Sequence, residues 1–374
     1  MSKRMLMQEA LHSGAPALAR RRRAWLILAL AAALLVALAI VALGVGAYTI
    51  SPARAFGVLA AELGVETLDY RSADPSVLGR QRAVLLAIRA PRVVGAILIG
   101  SVLALAGAAL QGLFRNPLAD PALVGVSAGA AVAVAAVIVL GSSIGAAGAR
   151  LSLWTQPLAA FAGSIGATAL VYALATRHRR TDVATLLLAG IAVNAIAGAG
   201  NGLFLYLADD AQLRDITFWS LGSLGGLSWR SLAVAGPIMA TSALLLPSMA
   251  RGLNTLLLGE REAAHLGTNV QLVKIVSVAV VAAGVGAAVS VSGIIGFIGL
   301  VAPHLVRLSI GPDYQTLLPG SAILGAILLL LADLVARTIV APAELPIGIV
   351  TALVGGPFFI WLLIRFRARG GVYA

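Results

Sequence analysis

Marking every Asp, Glu, Lys and Arg along the chain leaves nine long uncharged windows, at 24–53, 93–114, 121–149, 151–176, 183–208, 231–250, 275–306, 314–332 and 345–364. A helix needs roughly 20 apolar residues to cross a hydrocarbon core, and each window comes close to that length or passes it. The seventh window is long enough for more than one crossing. Its second half carries Gly293, Gly296, Gly299 and Pro303, which predicts a full span, a turn at Ser290 to Gly293 and a second, Gly-rich span. The pattern therefore predicts ten transmembrane helices. Gly95, Gly100, Gly107 and Gly112 fall on one span, and Gly198, Gly200 and Gly202 on another. Small residues let helices approach closely where lipid supplies no hydrophobic drive for association. Packing accounts for most of these glycines, and closely packed, interrupted helices can also rearrange around a pathway.

Composition agrees with an all-α integral membrane protein. Of 374 residues, 60% are hydrophobic and 11% charged, against about 45–50% and about 25% in soluble domains. The longest polar stretch, Arg54 to Arg92, is too short for an independent domain, so residues 1–374 form a single transmembrane domain. Without Cys there are no disulfides, no thiol catalysis and no cysteine metal sites. The net charge of +12 is almost all arginine, scattered between apolar runs. A nucleic-acid partner would need it gathered on one soluble face.

The charge instead sets topology. Arg20, Arg21, Arg22 and Arg23 near the N-terminus and Arg365, Arg367 and Arg369 near the C-terminus both read as cytoplasmic under the positive-inside rule, and ten crossings keep both ends on one side. Residues 1–23 are then a cytoplasmic segment. The apolar run Ala24 to Tyr48 exceeds the about 7–15 residues of a signal h-region, which predicts a retained first helix. The arginine excess of the 54–92 segment opposes the rule and asks for its own reason.

No window carries an acidic residue at its centre; Asp333 and Glu344 lie at window ends. Ion-coupled transporters usually hold ionisable groups within the membrane, so a proton-coupled carrier is disfavoured. The chain has no phosphate loop of the form G-x-x-x-x-G-K-[ST], and its lysines are Lys3 and Lys274. Energy must come from another subunit. His12, His178, His265 and His304 have no metal-ligand spacing, and neither a catalytic cluster nor a bound metal is expected. The segment 251–269, RGLNTLLLGEREAAHLGTN, offers Asn254 as a helix cap, Leu256, Leu257, Ala263, Ala264 and Leu266 as apolar surface, and Glu260, Arg261 and Glu262 beside them. Such an element either lies in a partner's groove or rests on lipid headgroups. Leu113 to Val126, with Pro117 and Pro121, predicts a rigid connector.

Read together, Arg89–Arg92 (RAPR), Ala106–Gly129 (AGAALQGLFRNPLADPALVGVSAG), Leu186–Gly190 (LLLAG), Gly259–Gly267 (GEREAAHLG), Gly293–Arg307 (GIIGFIGLVAPHLVR) and Leu331–Gly356 (LADLVARTIVAPAELPIGIVTALVGG) resemble the permease subunits of the FecCD family. These are the membrane-spanning part of type II ABC importers for iron siderophores, heme and cobalamin. The resemblance implies a ten-helix bundle of the cobalamin-permease type in the bacterial inner membrane. It also implies a second copy of the chain with the pathway on the two-fold axis, two cytoplasmic ATPase subunits that bind ATP and Mg, and a periplasmic substrate-binding protein. No permanently bound cofactor is implied.

Family roles fall on particular positions. The loop that docks on the ATPase matches Glu260, Arg261, Leu266 and Gly267. Arginines that pair with acidic residues of the binding protein match Arg89 and Arg337. The cytoplasmic gate matches Asp182, Val183 and Ala184, where Val183 and Ala184 replace small polar residues and predict a hydrophobic constriction. Asn194 and Asn201 are expected to face the pathway, although an Asn bonded to a neighbouring helix explains each equally well. LFRNPLADPALVGVSAG and GPDYQTLLPG look most like hemin permeases, so heme is the expected cargo, with ferric siderophore or cobalamin as the alternative. Arg177, His178, Arg179 and Arg180 either attract the heme propionates or are an ordinary positive-inside signal. His304, Tyr206 and Met239 are candidate axial ligands, none assigned. An ATP-independent carrier or channel is the alternative of a different class.

Overall fold

In lipid a backbone can satisfy its hydrogen bonds only within its own helix or a closed barrel, and the uncharged windows all fold as helices. The computed structural model describes residues 3–46, 48, 50–62, 64–65, 74–141 and 146–368; Arg71 and Arg369 lie outside the described residues. In chain order the helices are α1 (Lys3–Gly44), α2 (Pro52–Glu62), α3 (Pro75–Ala83), α4 (Ala90–Phe114), α5 (Val126–Gly141), α6 (Ala146–Ala175), α7 (Val183–Leu207), α8 (Asp210–Leu221), α9 (Trp229–Leu245), α10 (Ala250–Leu256), α11 (Glu260–His265), α12 (Val270–Ser292), α13 (Ile298–Ile310), α14 (Tyr314–Ala336) and α15 (Ile347–Ala368). A two-stranded hairpin, β1 (Thr176–Arg177) and β2 (Arg180–Thr181), joins α6 to α7. Among the described residues, seven helical runs have the length and hydropathy of a full crossing. Three shorter apolar helices, Val126–Gly141, Ile298–Ile310 and Ile347–Leu362, complete the expected ten. The 275–306 window divides where its glycines placed the break: α12 stops at Ser292, and Gly293, with φ of 67°, turns the chain.

Three features depart from the sequence reading. The 54–92 segment is largely helical, holding α2 and α3, and a π-helical stretch, Val84–Arg89, runs from α3 into α4. A second short helix, α8, begins with a capping box in which Asp209 accepts from the Gln212 N–H and Gln212 bonds back to the Asp209 N–H; its Arg214 and Asp215 hide it from a search for uncharged runs. Asn254 does not cap the 251–269 segment. It lies within α10, donates to Asp313 Oδ1 at 2.7 Å and accepts the Tyr314 N–H at 3.0 Å, so it secures the start of α14. The Leu113–Val126 connector is rigid as expected, with Asp120 accepting the Ala122 N–H at 2.9 Å at the head of a 3-10 turn, Pro121–Val124.

The core forms around α4, which is buried along nearly its whole length and packs on α14, α12, α13 and α9. A second group, α5, α6 and α7, packs together and joins the first chiefly through α12. Glycine sets the closeness of the central crossings. A Cβ on Gly107 would strike the Gly299 backbone, and one on Gly100 the backbone of Gly325. By contrast α1 presents most of its apolar surface outward.

Replacing Gly107 with Val is expected to lower the stability of the detergent-solubilised protein by about 1–3 kcal/mol or to prevent assembly, as overpacking does. Gly166→Ala, where nothing lies within 4 Å, is expected to leave the thermal unfolding midpoint unchanged.

Candidate functional site

At one end of the bundle, Gly259 at φ 117° and Gly267 at φ 83° bracket α11 and fold it sharply back on the chain. Ala263 is fully buried beneath it, and the hydroxyls of Thr255 and Thr268, 2.9 Å apart, close the loop. The outward face is left to Leu257, Leu258, Arg261, Glu262 and Leu266, all exposed, with Leu266 at 64%. This is an apolar knob with charges beside it, fixed from below and open above.

Glu260 points the other way. Its Oε1 lies 2.7 Å from the Lys274 ammonium, which is 3% exposed and also donates to the Thr181 carbonyl at 2.6 Å. One turn earlier on α12, Gln271 accepts the Thr181 N–H at 3.1 Å and donates to the Thr181 hydroxyl at 2.6 Å and to the Tyr172 hydroxyl at 3.0 Å. Thr181 ends the hairpin whose tip residues, His178 and Arg179, both sit at positive φ. The next residue, Asp182, caps α7 by accepting the Thr185 N–H at 2.7 Å and its hydroxyl at 2.8 Å. These bonds, the backbone one first, hold its carboxyl below the usual carboxylate range. The cap is therefore intact at neutral pH and is lost only as pH falls through that lowered value.

Thus Glu260 and Asp182, the expected coupling and gate residues, are joined through Lys274 and Thr181. The sequence reading singled out neither linker, although a lone lysine at the edge of an apolar window is a legible signal. Val183 is half-buried and Ala184 exposed. Along α7, Ala184, Leu188, Ile191, Ala195 and Ile196 are exposed. Asn194 is only partly exposed, and its amide donates to the Ala122 carbonyl at 2.9 Å, which ties α7 to the connector rather than to an open path. Asn201 is partly exposed, with a buried Oδ1.

At the opposite end the structure differs from the expectation of exposed arginines. Arg89 and Arg337 are both 5% exposed. Arg89 donates at 2.8 Å to the carbonyls of Leu43 and Gly44, and also to that of Tyr48. Arg337 donates to the Ala42 carbonyl at 2.8 Å. A helix leaves its last four carbonyls without partners; these two guanidiniums meet those of Ala42, Leu43 and Gly44 at the end of α1, and the Val45 N–H meets that of Val41, aided by the favourable interaction of cations with a helix C-terminus. That accounts for part of the arginine excess in 54–92. Beside them Arg92 donates to Asp333 at 2.8 Å and to both oxygens of Glu344 at 2.8 and 2.9 Å. Asp333 is fully buried and lies 3.5 Å from the Arg337 guanidinium. Exposed charge at this end comes instead from residues such as Arg214 and Arg230.

The three candidate axial ligands stand on separate helices. Met239 is buried, Tyr206 is 86% exposed, and His304 is buried against Phe358. Among the described residues no three His, Cys, Asp or Glu gather as a metal site.

Comparison with known proteins gives a consistent picture. The sequence pattern of the FecCD transport family matches residues 34–365. The hemin transport system permease of Yersinia pestis is 46% identical over 310 residues, covering 83% of this chain and 92% of its own. The cobalamin import system permease of Halobacterium salinarum is 42% identical over 330 residues, covering 87% and 86%. Among solved structures, an inward-facing metal-chelate-type ABC transporter superposes with a TM-score of 0.77 at 32% identity, covering 91% of this chain and 99% of that one.

Removing one partner from a buried ion cluster is strongly destabilising, by about 3–5 kcal/mol. Asp333→Ala, which strips Arg92 and Arg337 of a shared carboxylate, is expected to cost an amount of that order in thermal unfolding. Charge reversal at exposed Arg214 is expected to leave the unfolding midpoint unmoved.

Proposed function

Because the chain belongs to the FecCD transport family and is an ABC importer permease, we propose that it is the membrane-spanning subunit of a heme importer in the bacterial inner membrane, worked by two separate cytoplasmic ATPase subunits. In this reading the chain hydrolyses no ATP itself; nucleotide and Mg belong to the partner, and heme is cargo. Two copies line a pathway on their two-fold axis, a periplasmic binding protein delivers the cargo, and both termini lie in the cytoplasm.

The observation that carries this reading is the exposed α11 knob held by Lys274 to the turn before α7. An ATPase seated on Arg261, Leu266 and Gly267 would move Glu260, and with it the segment Asp182, Val183 and Ala184 that narrows the exit. At the other end, Arg89 and Arg337 shape the docking surface by fixing the end of α1, with Arg337 also lying beside Asp333. Direct pairing with acidic groups of the binding protein falls to exposed arginines such as Arg214 and Arg230. Such rim charges chiefly set encounter rate and orientation, which suits a delivery protein that must leave again.

Heme is favoured by the greater identity to the hemin permease, and cobalamin is the second reading because the cobalamin permease follows at 42%. Ferric siderophores remain within the reach of the same machinery. The ATP-independent carrier or channel has no observation in its favour.

Reconstitution in liposomes with the ATPase, and with binding protein loaded in turn with heme, cobalamin or a ferric siderophore, tests this directly. ATP-dependent uptake of heme in preference to the others is expected. Preferential cobalamin uptake would replace the cargo, and flux independent of ATP would overturn the reading. In the same system Leu266→Arg is expected to abolish ATPase association. Arg214→Glu with Arg230→Glu is expected to slow binding-protein association and weaken its salt dependence.

A further inference from the structure

Of the chain's two lysines, Lys3 begins α1 and Lys274 is buried within α12, where its position is difficult to explain by packing. An unpaired ammonium in a low-dielectric interior is expensive, yet Lys274 is 3% exposed on α12, among residues that are otherwise mostly apolar. It is tolerated there by two acceptors from different parts of the chain: the Glu260 carboxylate on α11 at 2.7 Å and the Thr181 carbonyl at the end of the hairpin at 2.6 Å. Its charge also reaches the Asp182 carboxylate. Gln271 holds Thr181 by its backbone N–H and its hydroxyl. α11 and the second strand of the hairpin each pack on α12.

We propose that Lys274 is the positioning residue that transmits motion of α11 to the start of α7, joining the ATPase-facing helix to the exit segment through one shared ammonium. This rests on the importer reading above. A strut of this kind needs a stiff, charge-assisted bond at each end, and a buried lysine on a continuous helix supplies both. Glu260 is thereby assigned an inward role: it receives the displacement of α11 and passes it on, while Arg261 and Leu266 face the partner.

Lys274→Met keeps the length and fills the space while removing both bonds, and the Glu260 carboxylate it leaves behind is 43% exposed, so water takes the place of the lost ammonium. The expected result in proteoliposomes is a loss of about tenfold in cargo taken up per ATP hydrolysed, within the range by which residues between coupled sites alter their coupling. ATPase association and the thermal midpoint are expected to stay near wild type. Lys274→Arg, which retains a charged donor, is expected to restore most of the ratio. A merely structural lysine would lower stability and activity together and leave the ratio unchanged, and that result would overturn the proposal, as would normal coupling in Lys274→Met. If Lys274→Met does not assemble, Glu260→Gln read by the same ratio decides: a fall supports the strut and an unchanged ratio removes it. Failure of the importer reading shows separately, as absence of ATP-dependent uptake by the wild-type complex.

Discussion

A hydrocarbon interior offers no water to an exposed dipole or charge, and the architecture follows from how this chain meets that constraint. Backbone groups are satisfied by helices. Buried charges at the two ends of the bundle are met by opposite charges and by backbone carbonyls. At one end Lys274 bridges Glu260 and the Thr181 carbonyl. At the other, Arg89 and Arg337 receive the last carbonyls of α1 while Arg92 and Arg337 flank Asp333. Both clusters join segments far apart in sequence, and the Arg92, Asp333 and Arg337 cluster loses much if one member is removed, because a buried charge left alone costs more than the pair contributed.

Between the clusters the molecule divides mechanically. The contacts of α4 with α13 and α14 pass through glycines that admit no side chain, so these helices are closely packed. The α5, α6 and α7 group meets the rest chiefly through α12. α12 also carries Lys274 and Gln271, so the helix that links the two groups bears the bonds to both α11 and the hairpin that precedes α7. Arrangements of packed helices are discrete rather than continuously deformable, which suits a permease that alternates between states.

Much of this was legible in the sequence, and the rest was not for physical reasons. Charge-free windows locate spans because a spanning helix excludes charge, and glycines within 275–306 place its break correctly. α8 escaped because a short, capped helix carrying Arg214 and Asp215 leaves no uncharged run. The roles of Arg89 and Arg337 could not be read because burial depends on where the end of α1 lands. Arg92 and Asp333, 241 residues apart, meet through a tertiary contact that no local pattern encodes. Glu260 and Asp182 were both found, but the lysine joining them carries no motif.

The central claim is that α11 and the exit turn move as one body. The chain has no Cys, so spin labels can be placed at exposed Leu266 and Arg179 without background, and their separation measured by pulsed dipolar spectroscopy in the assembled transporter with and without nucleotide. The account predicts that this separation stays constant while labels on the paired α7 helices of the two copies change theirs. A nucleotide-driven change between 266 and 179, with the hairpin left in place, would contradict it.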